Sequence, residues 1–398
     1  LFESSAASDV YKRQLIDDAT AQALAALQPV TASMEAAAAS QGINPDDIIL
    51  AWTVQTMAVS PTLRILSAIT QPAPVQALPS GLNTTAVGGF GLADIAIGII
   101  TLPYFHGIPS EANPAAPLTE FWRAEPGAYI PPFDQLGLDP TSTNITVANP
   151  FPVPTGQVTV PLIISLPNAN SGMTKPENGW PVAIYAHGIT RNRTDMLALA
   201  DSMAAAGYAV IAMDHPMHGV VPEVEPQLEP FKIDNHPIFG DLASERTFDV
   251  DFFNNETQQP GPDGIPDRSG QSYFNIGNLR AARDNLRQSV ADLFVLAASL
   301  QNLSVDGDAT PDLDAMNVGF ISHSYGVFIG VPFLAMQQAD VVSRAYINSG
   351  GALLLRTGEA GAFGELIRAL LSGAGIEPGT PEYELFLTVG QTMVASTD

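Results

Sequence analysis

Short apolar runs alternate with amphipathic stretches over the second half of the chain. Residues 181–186 and 208–213 are compact apolar runs of the kind that form buried parallel strands, and residues 194–206 between them have helical spacing. Strands that alternate with helices predict an α/β fold with a mostly parallel sheet flanked by helices. The predicted strands are 158–166, 181–186, 208–213, 316–322 and 341–348, and the predicted helices are 194–206, 276–303 and 325–336.

The first 150 residues are less regular. Residues 15–41 are rich in alanine with helical spacing, residues 48–57 predict a strand, and residues 61–154 form a proline-rich connecting or β region. Residues 87–105 carry a single charge over nineteen positions. Glycines and Pro103 interrupt this stretch, which favours a strand over a membrane-spanning helix.

The pattern divides the chain into segments with different expectations. Residues 1–14 resemble a translated sequencing adapter and are expected to be a non-native tail; a genuine disordered N-terminus is the alternative. Residues 15–60 precede the connecting region at 61–154. Residues 155–398 contain the strand and helix alternation and are expected to form the main α/β domain.

Composition and charge exclude several classes of protein. Hydrophobic residues make up 46% of the chain, which is enough for a sizeable core. Acidic residues outnumber basic residues 41 to 16, so the net charge of −25 argues against nucleic-acid binding. There is no cysteine. Disulfides, thiolate catalysis and cysteine-ligated zinc are therefore excluded.

A serine lies where a predicted buried strand passes directly into a helix. The junction reads Ser322-His323-Ser324-Tyr325-Gly326, which predicts a nucleophile elbow with Ser324 as the nucleophile; a serine that only caps the helix is the alternative. Strand and helix approach closely at an elbow, so small residues are needed two positions on either side. Gly326 satisfies this requirement, and Ser322 replaces the usual glycine.

The loop after the 181–186 strand is a candidate for oxyanion stabilisation. It reads His187-Gly188-Ile189, and in this fold such a loop supplies one backbone donor while the residue after the nucleophile supplies the other. The expected donors are the N–H groups of Ile189 and Tyr325. Gly188 permits close approach, and His187 is expected to shape the loop. His323 cannot reach the hydroxyl of Ser324, because adjacent side chains diverge.

Three other polar segments are weaker candidates for a catalytic or metal site. Residues 214–219 contain two histidines and an aspartate, which favour a turn that lines the pocket over a metal site. Residues 263–267 and 306–314 resemble parts of calcium loops without the full spacing, so acidic turns are expected and calcium remains open. No other cofactor is predicted.

The residues after Ser324 lack the expected partners of a catalytic triad. In this fold the acid and then the histidine follow the nucleophile, yet no histidine occurs in the 74 residues after Ser324, and the only aspartates there are Asp340 and Asp398. Residues 360–373 and 381–394 predict helices, the beginning of a cap. The sequence is therefore expected to be truncated at both ends and catalytically incomplete.

Several segments together resemble the VolA-like extracellular lipases, a family of bacterial virulence-factor lipases with an α/β-hydrolase fold. The resemblance covers roughly residues 15–398, although family members typically read GHSLG where this chain reads SHSYG. It rests on DIILAWTVQTM (47–57), AHGITRNRTDM (186–196), AGYAVIAMDHPMHG (206–219), the 275–293 helix with RDNLRQSVADL, and GFISHSYG (319–326).

The resemblance implies hydrolysis of acylglycerols or lysophospholipids by a lipase or carboxylesterase. It further implies an exported protein at the outer-membrane surface or outside the cell, often lipid-anchored. Residues 15–60 would be the tail of a β-rich N-terminal domain, and the catalytic Asp and His would lie beyond residue 398. The expected partners are a lipid or small ester and a membrane surface. A short-chain esterase, an acyltransferase, a polyester depolymerase and a non-catalytic surface or adhesion module remain alternatives.

Overall fold

The computed structural model describes residues 28–48, 60–308, 310–338, 341–361 and 363–395, with three further positions between 20 and 25. The chain divides into two compact units, Leu1–Met57 and Ala58–Asp398. In the first unit, helix α1 spans Gln28–Ser40 and a short 3-10 turn spans Pro45–Asp47. The segment 1–14 and almost all of the strand predicted at 48–57 lie outside the described residues.

The second unit contains a seven-stranded sheet in the order β1-β2-β3-β5-β4-β6-β7. The pairs β5–β4, β4–β6 and β6–β7 are parallel, whereas β1–β2, β2–β3 and β3–β5 are antiparallel. Five of the seven strands therefore point the same way, and the predicted mostly parallel sheet is confirmed. The strands are β1 (Val75–Asn83), β2 (Ala93–Tyr104), β3 (Gly156–Pro167), β4 (Trp180–Ala186), β5 (Ala209–Met213), β6 (Leu313–His323) and β7 (Val342–Asn348).

The region predicted to connect two domains contributes strands to this same sheet. Strand β2 pairs with β3 over its whole length, from Ala93 opposite Pro167 to Tyr104 opposite Gly156. The predicted boundary between residues 154 and 155 therefore does not separate two sheets. The stretch 87–105 consists largely of β2, as its alternation indicated, and no described helix is long and apolar enough to cross a membrane.

Helices cover both faces of the sheet because the sheet is apolar on both faces. In β4, Val182 and Ile184 join the core cluster that contains much of helix α5 (Leu279–Ser299). Tyr185 packs on the opposite side, with Leu197 at the start of helix α4 (Leu197–Ala205). The helices of this unit are α2 (Pro61–Ile69), α3 (Ala116–Thr119), α4 (Leu197–Ala205), α5 (Leu279–Ser299), α6 (Gly326–Met336), α7 (Leu354–Ala360), α8 (Gly364–Gly373) and α9 (Pro381–Val394).

The sequence pattern places Arg280, Arg283 and Arg287 on the side of α5 opposite its apolar stripe, which predicts a solvated face, and the structure corrects this prediction at Arg287. Arg280 is exposed, but Arg287 is buried and its Nη1 lies 3.0 Å from the Oδ1 of Asp284, which is also buried. Gln288 and Asp292 continue the buried polar positions, and they hydrogen-bond to each other. Neighbouring elements pack on this part of the helix, so these four buried polar side chains pair with one another.

Candidate active site

Ser324 occupies a tight turn between β6 and α6. Its φ of +53° lies in the left-handed region, which costs a non-glycine residue on the order of 1–3 kcal/mol. The turn is held by two hydrogen bonds: the Ser324 N–H donates to the carbonyl of Asn348 at 2.9 Å, and the N–H of Val327 donates to the carbonyl of Ser324 at 3.0 Å. A strained serine between a strand and a helix is the geometry of a nucleophile elbow.

The elbow depends on close contacts that only small residues allow. A Cβ atom on Gly326 would lie 2.3 Å from the carbonyl oxygen of Ala186, at the end of β4. Ser322 is fully buried, and its side chain fits because Gly330 faces it: a Cβ there would lie 3.4 Å from the Ser322 Oγ and 2.4 Å from the ring of Phe320. Gly330 thus leaves room for the serine that replaces the usual glycine at position 322.

The loop after β4 approaches Ser324 closely. A Cβ atom on Gly188 would lie 3.2 Å from the Cβ of Ser324. The His187 Nδ1 lies 2.8 Å from the carbonyl oxygen of Gly188. In a trans peptide the C=O and the following N–H point in opposite directions, so this contact turns the N–H of Ile189 away from His187.

Ile189 and Tyr325 line the same cavity as Ser324. Among the described residues, neither of their backbone N–H groups donates a hydrogen bond to the protein. The side chain of Tyr325 is buried and makes a T-shaped contact with Tyr273 at 5.4 Å between ring centroids. This contact anchors the residue after the nucleophile, and burial raises the pKa of its phenol, so the ring stays neutral. That these two N–H groups would hold an oxyanion stays a prediction.

The hydrogen bonds of His187 assign its tautomer. The backbone N–H of His215 donates to the His187 Nε2 at 3.2 Å, so Nε2 accepts and the proton lies on Nδ1. Burial lowers the pKa of this imidazole, although the nearby carboxylate of Asp214 acts in the opposite direction. His187 is therefore a neutral donor to Gly188, and its two ring nitrogens are engaged away from the Ser324 hydroxyl.

His215 and His218 differ from the expectation that they line the pocket. Both are buried and pack against His187, with ring centroids 4.1 Å and 4.9 Å from its ring. Tyr273 covers His218 from the segment before α5. The fold thus buries these histidines under a segment that is distant in sequence. The described residues contain no group of three His, Cys, Asp or Glu that could hold a metal ion.

A buried ionic network, which the sequence pattern did not predict, holds the loop after β4 (187–193). The Arg193 guanidinium pairs with Asp214 and with Glu245, at 2.7 Å in the latter case. Arg246 pairs with Asp292 of α5 and donates to the carbonyl of Asp214. Glu245 and Arg246 belong to the polar excursion after β5. Because the partners lie far apart in sequence, no local pattern marks the network.

Ser324 faces a cavity of about 760 Å³ with two different walls. The apolar wall comes from α7, α8 and the turn between them; α8 was predicted as part of a cap, whereas α7 was not predicted. Polar residues of the lining include Thr190, Gln258 and Arg268. The apolar wall consists of Leu354, Leu355, Phe363, Leu366, Ile367 and Leu370.

The described cavity lining contains no histidine, although all six histidines of the chain lie in described positions. His323 is exposed beside Ser324, and its Nδ1 lies 3.4 Å from the Nδ2 of Asn348. Asp340 and Asp398 lie outside the described residues. The described part therefore brings Ser324, Ile189 and Tyr325 to one cavity, and no imidazole of the described residues lines that cavity.

The calcium-like segments act as capped turns in the structure. Asp267 accepts hydrogen bonds from the backbone N–H groups of Phe252 and Phe253, and Asp263 accepts one from Asn255. In the second segment, Asp306 accepts the N–H of Asp308. These carboxylates stabilise their own loops, as is typical of acidic turns.

The strand order, the helices on both faces and the elbow after β6 define an α/β-hydrolase fold with a serine nucleophile elbow. The family model of platelet-activating factor acetylhydrolase, isoform II, matches residues 152–221. This segment runs from β3 through the loop after β4 to the turn after β5. At this coarse level, the match and the site support the class of carboxylester hydrolases. A search of curated proteins gives no match.

Solved esterase structures resemble the chain at low identity. The acetyl xylan esterase from Paenibacillus sp. R4 is 11% identical, with 85% of this chain and 75% of that chain covered and a TM-score of 0.37. Acetyl xylan esterase 1 from Thermoanaerobacterium sp. JW/SL YS485 is 15% identical, with 84% and 72% covered and a TM-score of 0.37. The cell wall degrading esterase LipA from Xanthomonas oryzae is 8% identical, with 73% and 53% covered and a TM-score of 0.29.

Proposed function

We propose that this chain carries the nucleophile, the oxyanion donors and the acyl-binding wall of a serine carboxylester hydrolase for lipid esters. The observation that carries the proposal is the position of Ser324 on a strained elbow that lines a cavity together with six apolar side chains of α7, α8 and the turn between them. An apolar wall beside the nucleophile suits a long acyl chain, because burial of each methylene stabilises binding by about 0.8 kcal/mol.

The proposed reaction forms an acyl-enzyme. The Ser324 Oγ attacks the acyl carbonyl carbon and loses its proton to a general base, while the carbonyl oxygen becomes an oxyanion held by the N–H groups of Ile189 and Tyr325. Collapse of the tetrahedral intermediate breaks the bond to the alcohol, which takes the proton from the base. Water then attacks the acyl-enzyme in the same way and releases the carboxylic acid.

The outer part of the apolar wall supports contact with a lipid surface. Leu366 and Leu370 line the cavity and are also 58% and 48% exposed to solvent. Such residues at a cavity mouth suit a substrate that is presented by an aggregate or a membrane. An extracellular or outer-membrane location, as in the VolA-like lipases that the sequence resembles, is part of the proposal.

The described cavity lining contains no histidine, and this determines how fast we expect Ser324 to be acylated. With no imidazole in the described cavity lining, Ser324 should acylate slowly in the 398-residue chain, and added imidazole should accelerate the reaction. The same observation favours a second candidate, a non-catalytic surface module that binds amphiphiles in the cavity without reacting with them.

Covalent labelling tests the two candidates directly. We expect an alkyl fluorophosphonate to label Ser324, with the site located by peptide mass spectrometry and the rate raised by imidazole. Ser324→Ala should abolish the label. Ser343→Ala, which changes an exposed serine on β7, should keep it. Binding of a neutral amphiphile with no Ser324-dependent label in saturating imidazole would overturn the hydrolase proposal in favour of the binding module.

A further inference from the structure

The polar side of the cavity carries a cation without an anionic partner. Among the described residues, Arg268 has no carboxylate within 4.0 Å, although the chain has a net charge of −25. Glu225 is the other charged residue of the described lining. In the described part of the chain, Glu225 makes no ion pair with Arg268. The Arg268 guanidinium therefore remains available to an anion.

The surrounding loop holds Arg268 in place. Its Nη2 donates to the backbone carbonyl of Asn255 at 3.1 Å, and the Gln258 Nε2 donates to the same oxygen at 2.8 Å. Asn255 is fixed in turn, since its N–H donates to Asp263 at 2.7 Å and its side chain bonds to the carbonyl of Pro266 at 3.1 Å. A guanidinium held by one nitrogen keeps its other donors free, in the planar arrangement that matches a carboxylate or phosphate.

A buried acceptor lies on the same wall. The Gln271 Nε2 donates to the Gln258 Oε1 at 3.3 Å, whereas the Gln271 Oε1 is buried and has no hydrogen-bond partner among the described residues. Arg268, Gln258 and Gln271, here called the polar wall, thus offer donors and one unused acceptor. Buried polar atoms without partners are rare in proteins, and a bound polar ligand would satisfy this one.

From this placement, we infer that the polar wall binds the alcohol half of the substrate and that Arg268 selects esters whose alcohol half bears an anionic group. The inference rests on the proposed function, because it assigns the acyl half to the apolar wall beside Ser324. The anionic group is a phosphate or a carboxylate, and both would satisfy the guanidinium in the same way.

The test measures binding, so it does not depend on turnover. Dodecyl phosphate, dodecyl hemisuccinate and neutral dodecylglycerol, each below its aggregation concentration, are titrated into the 398-residue protein by calorimetry. Arg268→Gln should weaken both anionic ligands about tenfold and leave dodecylglycerol unchanged. Arg268→Lys should retain part of the preference. Arg280→Gln, an exposed arginine outside the cavity lining, should bind all three ligands like the unaltered protein.

The outcomes separate the two proposals. A loss confined to dodecyl phosphate identifies a phosphate as the recognised group, and an equal loss for both anions identifies charge alone. Equal weakening of anionic and neutral ligands by Arg268→Gln, or no weakening at all, overturns the inference about Arg268. If labelling of Ser324 persists in that case, the proposed function still stands. If anion preference persists while Ser324 never reacts, the anion site stands and the hydrolase proposal fails.

Discussion

At the scale of single residues, the site is governed by close approach of backbone segments. The sequence predicted the elbow because a serine between an apolar strand and a helix, followed by glycine, is a local pattern. The compensation at Ser322 was not predictable in the same way. It depends on Gly330, which faces Ser322 only after α6 has packed on the sheet.

Gly326→Ala should damage the elbow. The added Cβ would lie 2.3 Å from the carbonyl of Ala186, so backbone must shift, and we expect a loss of about 1–3 kcal/mol in the free energy of unfolding together with loss of Ser324 labelling. Gly373→Ala is the matched control, because its added Cβ would meet no atom within 4 Å. The measurement is urea denaturation followed by fluorophosphonate labelling. Equal behaviour of the two variants would contradict this reading of the elbow.

At the scale of elements, apolar runs predicted the strands and helices of the second half well. The solvated arginine face predicted for α5 was wrong at Arg287, because β2, α2 and α6 pack on this helix and come from distant parts of the chain, whereas Arg280 is exposed as predicted. For the same reason, the sequence did not show that residues 75–104 would join the main sheet. Helix α8 was expected as part of a cap and α7 was not predicted, and only the fold shows which of their side chains line the cavity with Ser324.

Leu366→Asp should weaken binding of the acyl half. Leu366 lines the cavity and is more than half exposed, so a charge there should be tolerated by the fold while it disrupts the apolar wall. We expect about a fivefold weaker affinity for dodecylglycerol by calorimetry, equivalent to about 1 kcal/mol. Leu385→Asp changes a similarly exposed leucine of α9 outside the cavity lining. An equal effect of both substitutions would show that the apolar wall does not hold the chain.

At the scale of the whole molecule, titration of buried histidines couples stability to pH. Burial lowers the pKa of His187, His215 and His218 in the folded protein, and the nearby Arg246 lowers it further for His215 and His218. Below their ordinary value of about 6.5, the unfolded chain binds protons that the folded protein does not. These histidines therefore do not lower the free energy of unfolding above about pH 6.5, and below that value the free energy of unfolding decreases as the pH falls.

His218→Asn should make stability less dependent on pH. One histidine that titrates only in the unfolded chain contributes up to about 1.4 kcal/mol per pH unit below 6.5, and asparagine removes that contribution. Its amide can replace the His218 Nδ1, which lies 2.8 Å from the carbonyl of Pro216. The free energy of unfolding is measured with urea at pH 7.5 and 5.5. His323→Gln, at an exposed position, is the control, and an unchanged slope in His218→Asn would refute the prediction.

The sheet edge at β7 favours self-association of the protein, whereas its net charge opposes it. Strand β7 pairs with β6 alone among the described strands, and Tyr346 and Ile347 on it are 64% and 44% exposed, a surface that favours pairing between copies. The charge of −25 should keep copies apart until salt shortens the Debye length from about 10 Å at 0.1 M to about 3 Å at 1 M. We therefore expect the mass measured by light scattering to rise with salt. Ile347→Lys should suppress the rise, whereas Leu136→Lys, at an exposed loop position, should not. A mass that is independent of salt would exclude association through this edge.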